Sequence, residues 1–247
     1  MCRGAKGGQW LCVGGWLLVL LLGVWDAPAI YHRLIIKLPG FHEAYWQQKL
    51  AQKKIALARP WTDSRPLVLF TGDSHIEYGD WYDLLAGGWA VRNGGLAEAK
   101  ITDVTALVLA MGNQHPQTVV VMCGINSLFA RLPVAQCVQD YETLLTTIRL
   151  QLQPASIIIL SVMPLRESPV DPATHKINLN VAALNQSLAV LCKKSKARFV
   201  DVNPAMVNLS GGLEADLTVD GLHLNPAGYQ RLASMIAAQL PPQKNQP

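Results

Sequence analysis

The chain has 247 residues, 50% of them hydrophobic and 15% charged, and its 21 Lys and Arg against 17 Asp and Glu leave a net charge of +4. So apolar a composition excludes an intrinsically disordered chain, and a mild basic excess without a long basic run gives no reason to expect nucleic-acid binding. Five Cys and six His, with no CxxC or HxxxH pair among them, indicate neither a disulfide scaffold nor a structural zinc site.

In chain order, a flank of residues 1–9 carrying Arg3 and Lys6 leads into the uncharged run WLCVGGWLLVLLLGVW, Trp10 to Trp25. The run is slightly shorter than the roughly 20 residues that span a bilayer core, a mismatch that Gly7, Gly8 and Gln9, or Ala27 to Ile30, and interfacial Trp residues can absorb. A transmembrane anchor is expected here. A cleaved signal peptide and a buried core helix compete with it, but Trp25-Asp26-Ala27-Pro28 lacks the small-residue pattern of a cleavage site. Arg3 and Lys6 against Arg33 and Lys37 favour the N-terminus inside, which gives a single-pass membrane protein with its large C-terminal part extracytoplasmic. Residues 26–64 read as a juxtamembrane connector, helical through HEAYWQQKLAQKKIALARP. Its Trp46, Leu50, Lys49, Lys53 and Lys54 suit either a helix near lipid headgroups or a solvated helix packed on the main domain.

Residues 65–241 form the main domain and 242–247 a tail. LVLFT, WAVRN, TVVVMCG, SIIILSVMP and RFVDVN read as five strands, several of them continuous β-branched runs of the kind buried on both faces. Ile101, Val104, Leu107, Val108 and Met111, and Val138, Tyr141, Leu145, Ile148 and Leu152, recur at helical spacing. Another helix runs from about Lys176 to Lys194, and the last is capped by Asn225 with Pro226 in its first turn. This alternation predicts a three-layer α/β/α sandwich around a five-stranded parallel sheet, with ligands bound beyond the carboxyl ends of the strands.

Three groups of residues fall at that edge. Gly72-Asp73-Ser74-His75 follows the first strand, so the Ser74 hydroxyl can face a cleft beside backbone N–H groups, or Ser74 can simply cap a helix. Cys123-Gly124-Ile125-Asn126 ends the third strand, with a side-chain amide able to meet developing negative charge or to end a turn. Asp220-Gly221-Leu222-His223 precedes the last helix; its spacing lets the carboxylate reach imidazole Nδ1 and leaves Nε2 to take a proton from a serine hydroxyl, although Asp-Gly is also a common turn signal.

Taken together and in this order, the Ser, Asn and Asp-x-x-His groups resemble the SGNH/GDSL hydrolase family over about Leu67 to Leu240. The resemblance implies a flavodoxin-like fold and ester hydrolysis without a metal or other cofactor. In it Ser74 is the nucleophile, His223 the base and then the acid, Asp220 the residue that orients the imidazole, and Asn126 an oxyanion donor beside the Ser74 N–H. The second block departs from the pattern. It reads Asn93-Gly94-Gly95-Leu96-Ala97-Glu98, and aligning on Asn93 puts Glu98 where the family's oxyanion glycine falls, with Gly95 the alternative N–H donor. His75 stands where the family name has Leu; no role carries over to it beyond a supporting or substrate-rim position. Asp73 is expected to cap the corner, and Glu77 to stabilise its helix or reach a neighbouring loop. An α/β-hydrolase elbow, G-x-S-x-G, is excluded because Ile76 replaces the final glycine. His32, His42, His115 and His175 have no metal-ligand spacing, Cys123 reads as a small buried residue, and Cys137 and Cys192 fall too far apart to bridge if their helices run parallel.

The expected activity is a serine esterase acting on a short, acetyl-like acyl ester of a small molecule, glycan or lipid, since the connecting loops are short apart from about 163–175 and 203–219. An acyltransferase using the same triad is the alternative, and Glu98 motivates a second one, a non-catalytic binding module.

Overall fold

In a computed structural model of the chain, the residues described are 41–85, 88–112, 114–167 and 172–242. Two compact units divide the chain, one ending at Gln52 and the other starting at Lys53. The run Trp10 to Trp25, read as a membrane anchor, lies outside the described residues. Among those described, no helix is long and apolar enough to cross a membrane.

Helix α1, Phe41–Leu57, falls in the stretch read as helical. The carbonyls at and just after its end lack partners within the helix, and Arg92, within the same second unit, supplies them: the guanidinium donates to the Ala56, Leu57 and Arg59 oxygens at 3.0, 3.0 and 3.1 Å.

The second unit is built on strands β1 (Leu67–Gly72), β2 (Ala90–Gly95), β3 (Thr118–Met122), β4 (Ser156–Leu160) and β5 (Arg198–Val200), all parallel, in the order β2-β1-β3-β4-β5. Between them run α2 (Ser74–Glu77), α3 (Trp81–Leu84), α4 (Ile101–Met111), α5 (Ile125–Phe129), α6 (Val134–Leu152), α7 (Pro172–Lys194), α8 (Asn203–Met206) and α9 (Pro226–Ala237), with a 3-10 turn at Ala215–Leu217. The strand pleat sends alternate side chains to opposite faces. Val68, Phe70, Val120, Met122, Ile158 and Leu160 join Trp81 of α3 and Leu232 and Ile236 of α9 in one core, where the Phe70 and Trp81 rings stack 4.5 Å apart. Leu69, Val119, Val121, Ile157 and Ile159 are buried on the other face, the side of α4, α6 and α7. Both faces are dry, which is why these strands are runs of Val and Ile rather than alternating sequences.

Several boundaries differ from the sequence reading, for local reasons. β3 stops at Met122 because the chain turns at Gly124 with φ of 134°; the Cys123 carbonyl that leaves the ladder accepts from the Tyr141 hydroxyl at 2.5 Å. β4 stops at Leu160; the Ser161 N–H still meets the Val200 carbonyl at 3.0 Å, and the stretch beyond it is held by side chains instead of a strand. Asn185 of α7 exchanges two hydrogen bonds with the Val162 backbone, both 2.8 Å, and Asn178 does the same for Leu165 at 2.8 and 2.9 Å. Each amide acts as a substitute peptide group for backbone that would otherwise be buried unpaired. Segment 203–219, read as loop, contains α8 and the 3-10 turn. α9 begins as read, with Asn225 Oδ1 accepting from the Gly228 N–H at 3.0 Å.

Gly72 lies opposite both Gly95 and Met122. The carboxyl ends of β1, β2 and β3 are therefore level, and the segments that leave them emerge side by side.

Candidate active site

β1 ends at Gly72, where a Cβ would sit 1.9 Å from the Met122 carbonyl oxygen. Only glycine lets the chain turn this close to β3. The next amide, Asp73 N–H, donates to that same oxygen at 3.1 Å. Asp73 then caps α2, its Oδ1 accepting from the His75 N–H at 3.1 Å. Ser74 opens the helix and is buried. Among the described residues, no hydrogen bond takes up the Ser74 N–H.

Across from this corner, a bridge between Thr218 and Leu224 closes a tight turn. Its sharp bend falls at Gly221, with φ of 89°. Thr218 Oγ1 donates to the His223 carbonyl at 2.7 Å and accepts from the Gly221 N–H at 2.9 Å. The Asp220 carboxylate gathers three donors: the His223 and Leu222 amides on Oδ1 at 2.7 and 3.0 Å, and His223 Nδ1 on Oδ2 at 2.7 Å. Burial pushes the Asp220 pKa up, but the hydrogen bonds from the His223 ring and amide and from the Leu222 amide, with the charge of the imidazole, bring it down to about 2. The carboxylate thus keeps the proton on Nδ1, and Nε2 faces Ser74 Oγ at 3.1 Å. A hydroxyl against a free imidazole nitrogen, with the far nitrogen held by a carboxylate, is an arrangement that can generate a nucleophile.

The structure places Asn126 in the first turn of α5, half-buried, with Nδ2 donating to the Ala99 carbonyl at 3.1 Å. An amide nitrogen carries two hydrogens, and this bond uses one. Gly95 is a different matter. Its N–H, expected from the sequence as an alternative second-block oxyanion donor, donates to Asn93 Oδ1 at 2.9 Å and so is already engaged in this structure. The neighbouring amides are engaged too, Leu96 by the Gly72 carbonyl at 2.9 Å and Ala97 by Glu77 Oε2 at 2.7 Å. What Gly95 provides is room: a Cβ there would meet the Glu77 backbone nitrogen at 2.3 Å. Gly95→Ala is therefore expected to lower stability by about 1–3 kcal/mol through overpacking, read as a fall in Tm; an unchanged Tm with lost activity would restore the donor reading. Glu98 has φ of 71°, a left-handed backbone that glycine adopts freely.

Further side chains lie around this corner. Asn93 Nδ2 caps the end of α2, lying 2.9, 3.1 and 3.1 Å from the Ile76, Glu77 and Gly79 carbonyls. The Tyr78 ring, exposed, lies 5.4 Å from the His223 ring. Its hydroxyl pKa is raised by partial desolvation and by the carboxylates of Glu77, Glu98 and Asp220. The signal for Tyr78 is its place four residues after Ser74, one helical turn on. His75 is buried, with Nδ1 3.2 Å from Asp73 Oδ1 and Nε2 3.0 Å from the Leu222 carbonyl. Cys123, Cys137 and Cys192 are buried free thiols, and burial raises the pKa of each. His42, His115 and His175 are exposed, His32 lies outside the described residues, and no metal-binding cluster of His, Cys, Asp or Glu is found among the described residues.

Solved structures share this fold. A protein from Streptococcus pneumonia described as a candidate platelet activating factor is 22% identical, with a TM-score of 0.72 over 80% of this chain and 95% of its own. A GDSL-like lipase from Bacteroides thetaiotaomicron is 20% identical, with a TM-score of 0.62 over 78% of this chain and 95% of its own. An acetylxylan esterase from Geobacillus stearothermophilus, solved as a catalytic mutant, is 18% identical, with a TM-score of 0.57 over 73% and 96%. No curated protein matches the sequence. The model of one enzyme family matches residues 68–231, a span that holds both the Ser74 corner and the Asp220 to His223 turn, and the chain accordingly belongs to the GDSL-like lipase/acylhydrolase family, hydrolases of ester bonds.

Proposed function

We propose that this domain is a serine esterase working through an acyl-enzyme on Ser74. The observation that carries the reading is the continuous chain of short contacts from Ser74 Oγ through His223 to Asp220, 3.1 and 2.7 Å. His223 Nε2 takes the hydroxyl proton as Oγ bonds to the ester carbonyl carbon. The same proton passes to the departing alkoxide, which leaves as an alcohol. Water then attacks the acyl-enzyme, giving a proton to Nε2, and the acid departs as Oγ recovers that proton. Asn126 Nδ2 and the Ser74 N–H are the oxyanion donors in this reading, and Glu98, with its glycine-like φ of 71°, stands in the place of the family's donor glycine. Asn126→Ala is expected to lower kcat by about 100- to 1000-fold while Tm changes little, checked by steady-state kinetics beside thermal melts.

The acyl group is short in this reading, acetyl-like, on a bulkier carrier. The short turns that follow β1 and β3 support it, as does the similarity in fold to an acetylxylan esterase. The test is kcat/KM of the full chain in detergent on p-nitrophenyl esters from acetate to laurate. A maximum at acetate with a steady fall is expected; a maximum at laurate overturns the short-acyl reading. The uncharged run Trp10 to Trp25 behind Arg3 and Lys6 supports an uncleaved anchor with the domain extracytoplasmic. N-terminal sequencing of membrane-fractionated protein tests it, and a start beyond Trp25 refutes it.

A further inference from the structure

His75 is a titratable side chain that the proposed acyl transfer does not use. It is 2% exposed, and the Asp73 carboxylate beside it 1%. Its two ring nitrogens point at two different elements: Nδ1 at Asp73 Oδ1 on the Ser74 corner, 3.2 Å, and Nε2 at the Leu222 carbonyl on the Asp220 to His223 turn, 3.0 Å. A carbonyl oxygen only accepts. Asp73 Oδ1 also acts here as an acceptor, since it takes the His75 backbone N–H. A neutral imidazole has one N–H and would leave one of these contacts without a hydrogen; only the imidazolium donates from both nitrogens. The environment agrees: burial opposes the charge, but the hydrogen bond and negative charge of Asp73, the Leu222 carbonyl and the charge of Asp220 together raise the His75 pKa.

The position matters as much as the charge. Residue 75 adjoins Ser74, and Leu222 adjoins His223. The contact between Ser74 and His223 joins two segments far apart in sequence, and the bridge through His75 runs parallel to it, one residue away on each side. The His75 and His223 rings lie 6.0 Å apart. Where the GDSL motif has Leu, which cannot donate at all, this chain has a side chain that fastens the nucleophile's corner to the imidazole's turn.

We propose that His75 is a positioning residue, a buried imidazolium that bridges Asp73 to the Leu222 carbonyl and thereby sets the distance between Ser74 and His223. The proposal rests on the reading of Ser74 and His223 as the reacting pair. A displacement of about 1 Å at a reacting group costs on the order of 100-fold in rate, so the clamp acts on kcat and leaves substrate binding alone.

The test compares full-chain wild type, His75→Gln and His75→Leu in detergent. It reads kcat and KM on p-nitrophenyl acetate, the rate of fluorophosphonate labelling at Ser74, and Tm. His75→Leu is expected to lower kcat and labelling by about 10- to 100-fold with KM within about twofold. His75→Gln, which keeps one donor toward Leu222, is expected to recover part of that loss. Because His75→Leu strands a buried carboxylate, the Asp73→Asn/His75→Leu pair is made beside it: Asn retains the helix cap and removes the unpaired charge. This pair is expected to regain Tm but not kcat. Ring 15N NMR of the wild type is expected to show two protonated nitrogens on His75. Wild-type kcat in the double variant, or a singly protonated His75 ring, overturns the clamp. Undiminished hydrolysis by Ser74→Ala would instead overturn the reading on which it rests, so the two failures are told apart.

Discussion

Ser74→Ala is expected to lower kcat/KM for p-nitrophenyl acetate by about 10⁶-fold. Ser74 Oγ is the hydroxyl that the His223 Nε2 atom meets, at 3.1 Å, and no other contact compensates for its loss. The fold should survive. The side chain is small, buried, and contributes one neutral hydrogen bond, a net stabilisation of about 0.5–1.5 kcal/mol. Thermal melts and far-UV circular dichroism alongside the kinetics separate lost chemistry from lost structure. His223→Ala is expected to cost about as much, and the double variant no more than either, because groups that act as a unit do not add. A Ser74→Ala protein that turns over like wild type would rule out the acyl-enzyme.

Asp220→Asn is the second large effect, expected at about 10⁴-fold in kcat. The isosteric amide keeps the shape of the turn, and its Oδ1 can still accept from the Leu222 and His223 amides. What it reverses is the hydrogen bond to the ring. The amide donates to Nδ1, the imidazole proton moves to Nε2, and Ser74 Oγ then faces a donor where it needs an acceptor. In wild type the charge at Asp220 is robust. With its pKa at about 2, below the ordinary carboxyl value of about 3.9, the group contributes stability that is present above that ordinary value and is lost only as pH falls through about 2. Asp220→Asn gives up that charge and is expected to lower Tm modestly, so a kinetic loss far larger than the fall in stability marks the effect as one of tautomer rather than of a weakened turn. A loss below tenfold would mean that the Thr218 bond to the His223 carbonyl and the His75 bond to the Leu222 carbonyl hold His223 in place without the carboxylate.

The parts of this architecture legible in the sequence are those set by short-range constraints. Val119 to Val121 and Ile157 to Ile159 announce strands because a sheet covered on both faces needs apolar side chains at every position. Asn225 with Pro226 announces a helix start because an N-terminus needs an acceptor for its amides and tolerates a residue without one. Asp220 and His223 can be paired on paper because three residues around a Gly-containing turn bring the two side chains together. The end of β4 is not legible in this way: the amides that hold Val162 and Leu165 come from Asn185 and Asn178, on a helix that follows later in the chain. The same holds for Gly95. Its N–H is taken by the Asn93 side chain, and its missing Cβ makes room for the Glu77 backbone of α2, a neighbour that no spacing within the second block reveals.

The sequence by itself determined the layered α/β fold, the edge of the sheet at which chemistry can occur, and the family to which the chain belongs, because periodicity, capping and motif spacing are properties of consecutive residues. Tertiary structure alone decided which donors at that edge are engaged, that α7 substitutes for a longer β4, and that His75 spans from Asp73 to Leu222. Those outcomes depend on atoms brought within hydrogen-bonding distance from remote parts of the chain, where a shift of an ångström separates a bond from none.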